Sequence, residues 1–233
     1  DDQGPLGLAI HPDGTRLYVA CNDTDSIKVV DLAAGSVTAT IAVASPQYWL
    51  TWRPNSADLV CNSWATHRAA VVDTVTNHVT SRMPVSDTPW VVAVEPNGAR
   101  AYVGTGQQNS ATGALEIVDL IGKQYLGRIP LAGLPLGAAF NQDGSRLYVI
   151  NGNALAEVDT TTNTPVQTVT VGGRTAAVVV SPDQKRIYVA QEELRRIAVI
   201  EERPVPSIAD MLAKVRGWLQ IVLPLPDSFR KPP

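Results

Sequence analysis

Pro12-Asp13-Gly14-Thr15-Arg16-Leu17-Tyr18-Val19-Ala20 occurs more than once in this chain, in altered form. It recurs as PNGARAYVG from Pro96 to Gly104, as QDGSRLYVI from Gln142 to Ile150 and as PDQKRIYVA from Pro182 to Ala190. A degraded copy, PNSADLVCN, runs from Pro54 to Asn62. Successive copies begin 42, 42, 46 and 40 residues apart. Self-similarity at this period, with four short strands per unit, predicts the blades of a β-propeller. A single such unit cannot hide its own flat faces, so neighbouring units must stack.

Each copy spans the turn after the first strand of its unit and runs on into the second strand. In the first unit the alternation predicts strands at Leu6–Ile10, Arg16–Cys21, Ile27–Leu32 and Val37–Val43. Here the four strands of a unit are termed a to d. Asp-Gly and Asn-Gly pairs fill the a–b turns, where a positive φ is needed. The c strands read IKVVDL, AAVVDT, LEIVDL, LAEVDT and IAVIEE. The five carboxylates Asp31, Asp73, Asp119, Asp159 and Glu201 could suggest a metal or acid–base site. Their once-per-unit occurrence favours a structural role, in which each caps the c–d turn by accepting backbone N–H groups.

Pro-containing entry, PDGxRLYV core, polar loop and xVxVVDL strand together resemble the YVTN-family β-propeller repeat, over about residues 5–201. RLYVA, AYVG, LYVI and IYVA are the segments that carry the likeness. The resemblance implies a propeller that is usually seven-bladed and commonly exported or at the cell surface. Five units are visible here, and the fifth has no obvious outermost strand. Either a five-bladed ring or part of a larger ring fits this count, and an open array would leave two apolar faces unpaired.

The expected fold is therefore all-β, a propeller of four-stranded antiparallel blades over residues 1–201, followed by a linker, an amphipathic helix and a Pro-rich tail over 202–233. Ile208, Met211, Leu212, Val215 and Leu219 follow helical spacing, which predicts a helix from Ile208 to about Gln220. Three readings of this segment stand side by side. The helix packs over the face left by the missing strand, it docks a partner or a membrane surface, or Trp218–Leu223 itself supplies the fourth strand of the fifth blade.

With 233 residues, 45% of them hydrophobic, the chain can bury a substantial core. A formal net charge of −3 argues against general binding to nucleic acid or anionic membranes. Cys21 and Cys61 occupy nearly the same place in successive units, too far apart for a disulfide in adjacent blades, and are expected as buried free thiols. The apolar runs are short of a membrane span. The sequence opens at Asp1 rather than Met, which fits removal of a leader or other upstream region.

No G-x-S-x-G elbow, P-loop or H-E-x-x-H motif is present. His11, His67 and His78 fall in a–b, b–c and c–d connections, a poor arrangement for a shared metal. Neither a cofactor nor a catalytic group is expected. Attention therefore passes to the d–a and b–c connections, which share one end of a propeller. Tyr48, Trp49, Trp64, His67, Trp90, Asn109, Asn151, Arg174 and Glu192 lie there. Trp49 and Trp90 break the symmetry of the repeat, as either a binding surface or wedges between blades. Arg174 and Glu192 could also be a rim ion pair. The expected function is an exported, non-catalytic scaffold that engages a protein or glycan partner through this end. The alternative is a propeller enzyme, a lactonase-like hydrolase or lyase, acting on a small ligand at the channel mouth.

Overall fold

The computed structural model describes residues 4–43, 47–54, 57–108, 110–202 and 218–224. Among the described residues, twenty strands form five four-stranded antiparallel sheets, in chain order. The first comprises β1 (Pro5–Ile10), β2 (Arg16–Cys21), β3 (Ser26–Asp31) and β4 (Ser36–Ala42). The second comprises β5 (Gln47–Trp52), β6 (Asp58–Ser63), β7 (Arg68–Asp73) and β8 (His78–Pro84). In the third are β9 (Pro89–Val94), β10 (Arg100–Thr105), β11 (Gly113–Asp119) and β12 (Gln124–Leu131). The fourth holds β13 (Pro135–Phe140), β14 (Arg146–Asn151), β15 (Ala154–Asp159) and β16 (Thr164–Thr170). The fifth holds β17 (Thr175–Val180), β18 (Arg186–Gln191), β19 (Arg196–Glu202) and β20 (Trp218–Pro224).

Strand β20 pairs with β19 in a ladder running from Arg196 opposite Pro224 to Glu202 opposite Trp218. The missing outer strand of the fifth unit is thus supplied from Trp218–Pro224. Residues Trp218 to Gln220, at the end of the expected helix, are strand. Residues 208–217 of that helix lie outside the described residues, as does the tail from 225. Among the described residues, no helix is long and apolar enough to cross a membrane.

The repeated turn chemistry has repeated geometry. In all five units the residue after strand a donates its N–H to the first residue of strand b, as in His11 N to Arg16 O at 2.8 Å and Ser181 N to Arg186 O at 2.8 Å. Gly98 shows why a glycine stands in such a turn. Its φ is +72°, and a Cβ there would lie 2.9 Å from the carbonyl oxygen of Pro54. Asp31, Asp73, Asp119 and Asp159 each accept the backbone N–H groups two and three residues on, at 2.7–3.1 Å. Glu201 departs from this pattern and pairs with Arg186.

The chain divides into two compact units, Asp1–Pro135 and Leu136–Pro233. Within the first, Tyr18, Ile27 and Ile41 of the first sheet pack with Leu59 and Cys61 of the second. Val60, Val71 and Met83 of the second sheet pack with Val92, Val103 and Val118 of the third. Within the second unit, Tyr148 and Ile150 of the fourth sheet meet Val178, Ile187 and Val189 of the fifth. Each fully buried Ile or Leu in these layers contributes about 1.5–3 kcal/mol relative to exposure. Leu6, Leu8 and Ile10 project from the first sheet and are exposed. Cys21 and Cys61 are free and buried.

Candidate functional site

In the first unit the d–a and b–c connections come together at the junction of the second and third sheets. Trp90, second residue of β9, is buried, and its indole Nε1 donates to the Gly106 carbonyl at 2.7 Å. Trp64, from the β6–β7 connection, meets it edge-on, with ring centroids 5.5 Å apart and planes at 64°. Edge-to-face packing of this kind is favoured by the ring quadrupoles. Trp64 keeps 38% of its surface exposed. One ring is therefore an anchor and the other a face offered to solvent.

Backbone and polar groups hold this corner in place. Gly106 N donates to Thr88 O at 3.0 Å, joining the β10–β11 connection to the β8–β9 connection. Asp87 in the second of these accepts the Gln107 side-chain amide and the Thr88 N–H. Asn62 lies wholly buried between the two sheets. Its Oδ1 accepts the Trp49 backbone N–H at 2.7 Å, and its Nδ2 donates to Pro89 O at 3.1 Å.

In the same third sheet Glu116 of β11 is fully buried. Ser86 donates to it, Thr105 Oγ1 lies 3.3 Å away and Arg128 Nε 3.9 Å away. The Tyr125 phenol is pushed up by burial and by this nearby carboxylate. Oε2 of Glu116 has no hydrogen-bond partner within the described protein. The sequence carries a signal for this residue that spacing alone did not single out. Glu116 stands inside an apolar strand at the place where Ala70, Ala156 and Ala198 stand in other units. A buried acid there, tied to Ser86, fastens the β8–β9 connection to the third sheet.

The other candidate residues are dispersed. Trp49 is half-buried against the core of the second and third sheets. Tyr48 lies in β5 with its side chain outside the described set, and Asn109 lies outside the described residues altogether. His67 is exposed, takes φ 50° in a tight turn and offers its carbonyl to Val85 N at 3.0 Å. In the second unit, Asn151 is buried with Oδ1 unpartnered within the described protein. Arg174 Nη2 and Glu192 Oε1 lie 2.9 Å apart with both side chains more than half exposed. Such a rim pair contributes about 0–1 kcal/mol. Among the described residues, no three His, Cys, Asp or Glu side chains cluster so as to hold a metal.

No protein-family model matches this sequence, and no curated protein matches it. Among solved structures the chain is similar to a Kuenenia stuttgartiensis hydrazine synthase, with a TM-score of 0.75 and 20% sequence identity. The match covers 98% of this chain and 65% of that one. A likeness at this identity speaks to the fold, and together with the five four-stranded antiparallel sheets it supports a propeller-type architecture.

Proposed function

We propose that this chain is a non-catalytic binding module, a YVTN-like propeller exported from the cytoplasm, that engages a glycan or protein partner at its d–a/b–c end. The observation that carries this reading is the Trp64–Trp90 pair, a rigid aromatic face with one ring anchored and the other open. Aromatic surface flanked by a few placed polar groups is the usual make-up of a recognition site. Asp87 and Gln107 are those groups here, already bonded to one another and so held in place before a ligand arrives. Preorganisation of this kind reduces the entropy lost on binding.

A panel of oligosaccharides titrated against the protein, followed by tryptophan fluorescence, tests it. A saturable change that disappears in Trp64→Ala, with the thermal melt preserved, supports the reading. An unchanged response in Trp64→Ala removes this corner from the binding surface. The enzymatic alternative draws on Glu116, because buried acids with an unpaired oxygen are often catalytic. Its hydroxyl and guanidinium neighbours make it equally a fastening for the β8–β9 connection. Turnover of a lactone substrate that is lost in Glu116→Gln would favour the enzyme.

A further inference from the structure

Stacked sheets in this chain join two unlike faces. One face carries the third residue of strand b, and the other carries the second and fourth residues of that strand. Tyr18, Ile27 and Val29 of the first sheet thus cover Leu59, Cys61 and Val72 of the second. In the second unit, Ile187, Val189 and Ile200 of the fifth sheet pack in the same way against the fourth.

The remaining face of the first sheet is laid out like the covered kind. Leu8 stands opposite Val19, Ile10 opposite Leu17, Leu17 opposite Val30 and Val30 opposite Val37. Residues opposed across an antiparallel ladder point to the same side, so these form two adjoining apolar rows. Leu17, Val19 and Val30 hold the positions of Leu59, Cys61 and Val72. Leu8 is nevertheless 63% exposed, whereas its counterparts Leu50 and Val178 are 5% and 6% exposed. Ile10 and Val37 are exposed as well. Lys28 shares this face beside Val19, but its ammonium reaches Thr40 Oγ1 at 3.2 Å in the outer strand. Contiguous exposed apolar surface marks an interaction site.

The fifth sheet shows the converse. Its Ile187 face is occupied, and its Tyr188 face is open along β17. Val179 stands opposite Tyr188, and Tyr188 opposite Val199. Val179 is 58% exposed, whereas Ala9, which holds the same place opposite Tyr18, is 8% exposed. Ala177, two residues earlier on the same strand, is also exposed. One polypeptide therefore presents both halves of the contact that its own repeats use to stack.

We propose that the Leu8 face of the first sheet docks on the Tyr188 face of the fifth sheet of a second copy of this chain, head to tail. The docked faces reproduce the pairing of Tyr18 with Leu59 and Cys61, and they remove Leu8, Ile10 and Val179 from water. Such a contact is heterologous, because each copy contributes a different surface.

Sedimentation velocity of the whole chain across about 1–100 μM tests the assignment, with association expected at a Kd of about 10 μM or tighter. Leu8→Lys and Val179→Lys each spoil one face at an exposed position, and each alone is expected to weaken association at least about tenfold with the far-UV spectrum unchanged. An equimolar mixture of the two is expected to recover a dimer, because the first variant keeps its Tyr188 face and the second keeps its Leu8 face. A wild-type chain that stays monomeric throughout overturns the proposal, as does unchanged association of either variant. A mixture that stays monomeric also overturns it, since like faces would then be meeting. Should either variant fail to fold, Ile10→Lys or Ala177→Lys takes its place, with the same outcomes deciding.

Discussion

Asn62 Nδ2 donates to the carbonyl of Pro89 across 3.1 Å, binding the second sheet to the first residue of the third. The other end of the same amide accepts the Trp49 N–H. One fully buried side chain thus satisfies two backbone groups from two different strands. Replacing it by Ala leaves both groups buried without a partner. Asn62→Ala is therefore expected to lose about 1–3 kcal/mol of stability in urea denaturation. A loss indistinguishable from zero would mean that water replaces the amide at that junction.

The two tryptophans of the corner are expected to behave differently. Trp90 is buried and bonded to Gly106, so Trp90→Ala should cost about 3–5 kcal/mol in cavity and lost packing. Trp64 is partly exposed and mainly contributes its contact with Trp90, so Trp64→Ala should cost less than about 1.5 kcal/mol. Thermal melts of the two variants check the order. Equal losses would make Trp64 a core residue rather than a binding face.

The carboxylate caps make stability depend on acid. The Thr161 hydroxyl, followed by the N–H of Thr162, brings Asp159 from 3.8 down to about 2. Thr15 does the same to Asp13 through its hydroxyl and N–H, also to about 2. A carboxyl whose pKa is lowered on folding binds fewer protons folded than unfolded. Its contribution is complete above the unfolded value and is lost as pH falls through the folded one. Stability is thus expected to decline between pH 3.8 and about 2. Asp159→Asn should flatten that decline, measured by denaturation at a series of pH values. An identical slope in the variant would show that Asp159 does not contribute.

Burial pushes the Cys61 thiol up to about 12, and the side chain has no solvent-exposed surface. Since the thiolate is the reactive form, native protein at pH 8 is expected to leave Cys61 unlabelled by iodoacetamide. Labelling should become complete in guanidinium. Rapid modification of Cys61 in the folded protein would indicate that the second sheet opens readily.

Truncation before Trp218 removes β20 and leaves β19 as an edge along its whole ladder. Unpaired strand edges promote association between chains. The truncated protein is expected to aggregate and to lose hydrogen-exchange protection at β19, read by gel filtration and exchange mass spectrometry. A monodisperse product with unchanged protection would show that β20 contributes little to the fifth sheet.

Much of the architecture was legible in the sequence because its determinants are local. A tight turn needs a positive φ within two residues, and the Asp13-Gly14, Asn97-Gly98 and Asp143-Gly144 pairs announce it. Asp73 and its equivalents bond to N–H groups two and three residues away, so their capping role follows from spacing alone. Strand β20 escaped the repeat pattern for the opposite reason. Ladder bonds are made by backbone, and an outer strand needs no side-chain signature beyond alternation. The expected helix over Ile208–Gln220 competed with that weak signal, and its last three residues are strand.

By itself, then, the chain's own order of residues determined the number of units, the positions of their turns and the capping role of their acids, since each depends on atoms a few residues apart. Only the tertiary structure decided that Trp90 is hidden while Trp64 is open, that Glu116 sits buried and bonded to Ser86, and that Asn62 bridges Trp49 and Pro89. Those outcomes depend on what the neighbouring sheet places opposite each side chain. For Ser86 and Glu116 that neighbour is 30 residues distant in sequence, beyond the reach of any local rule.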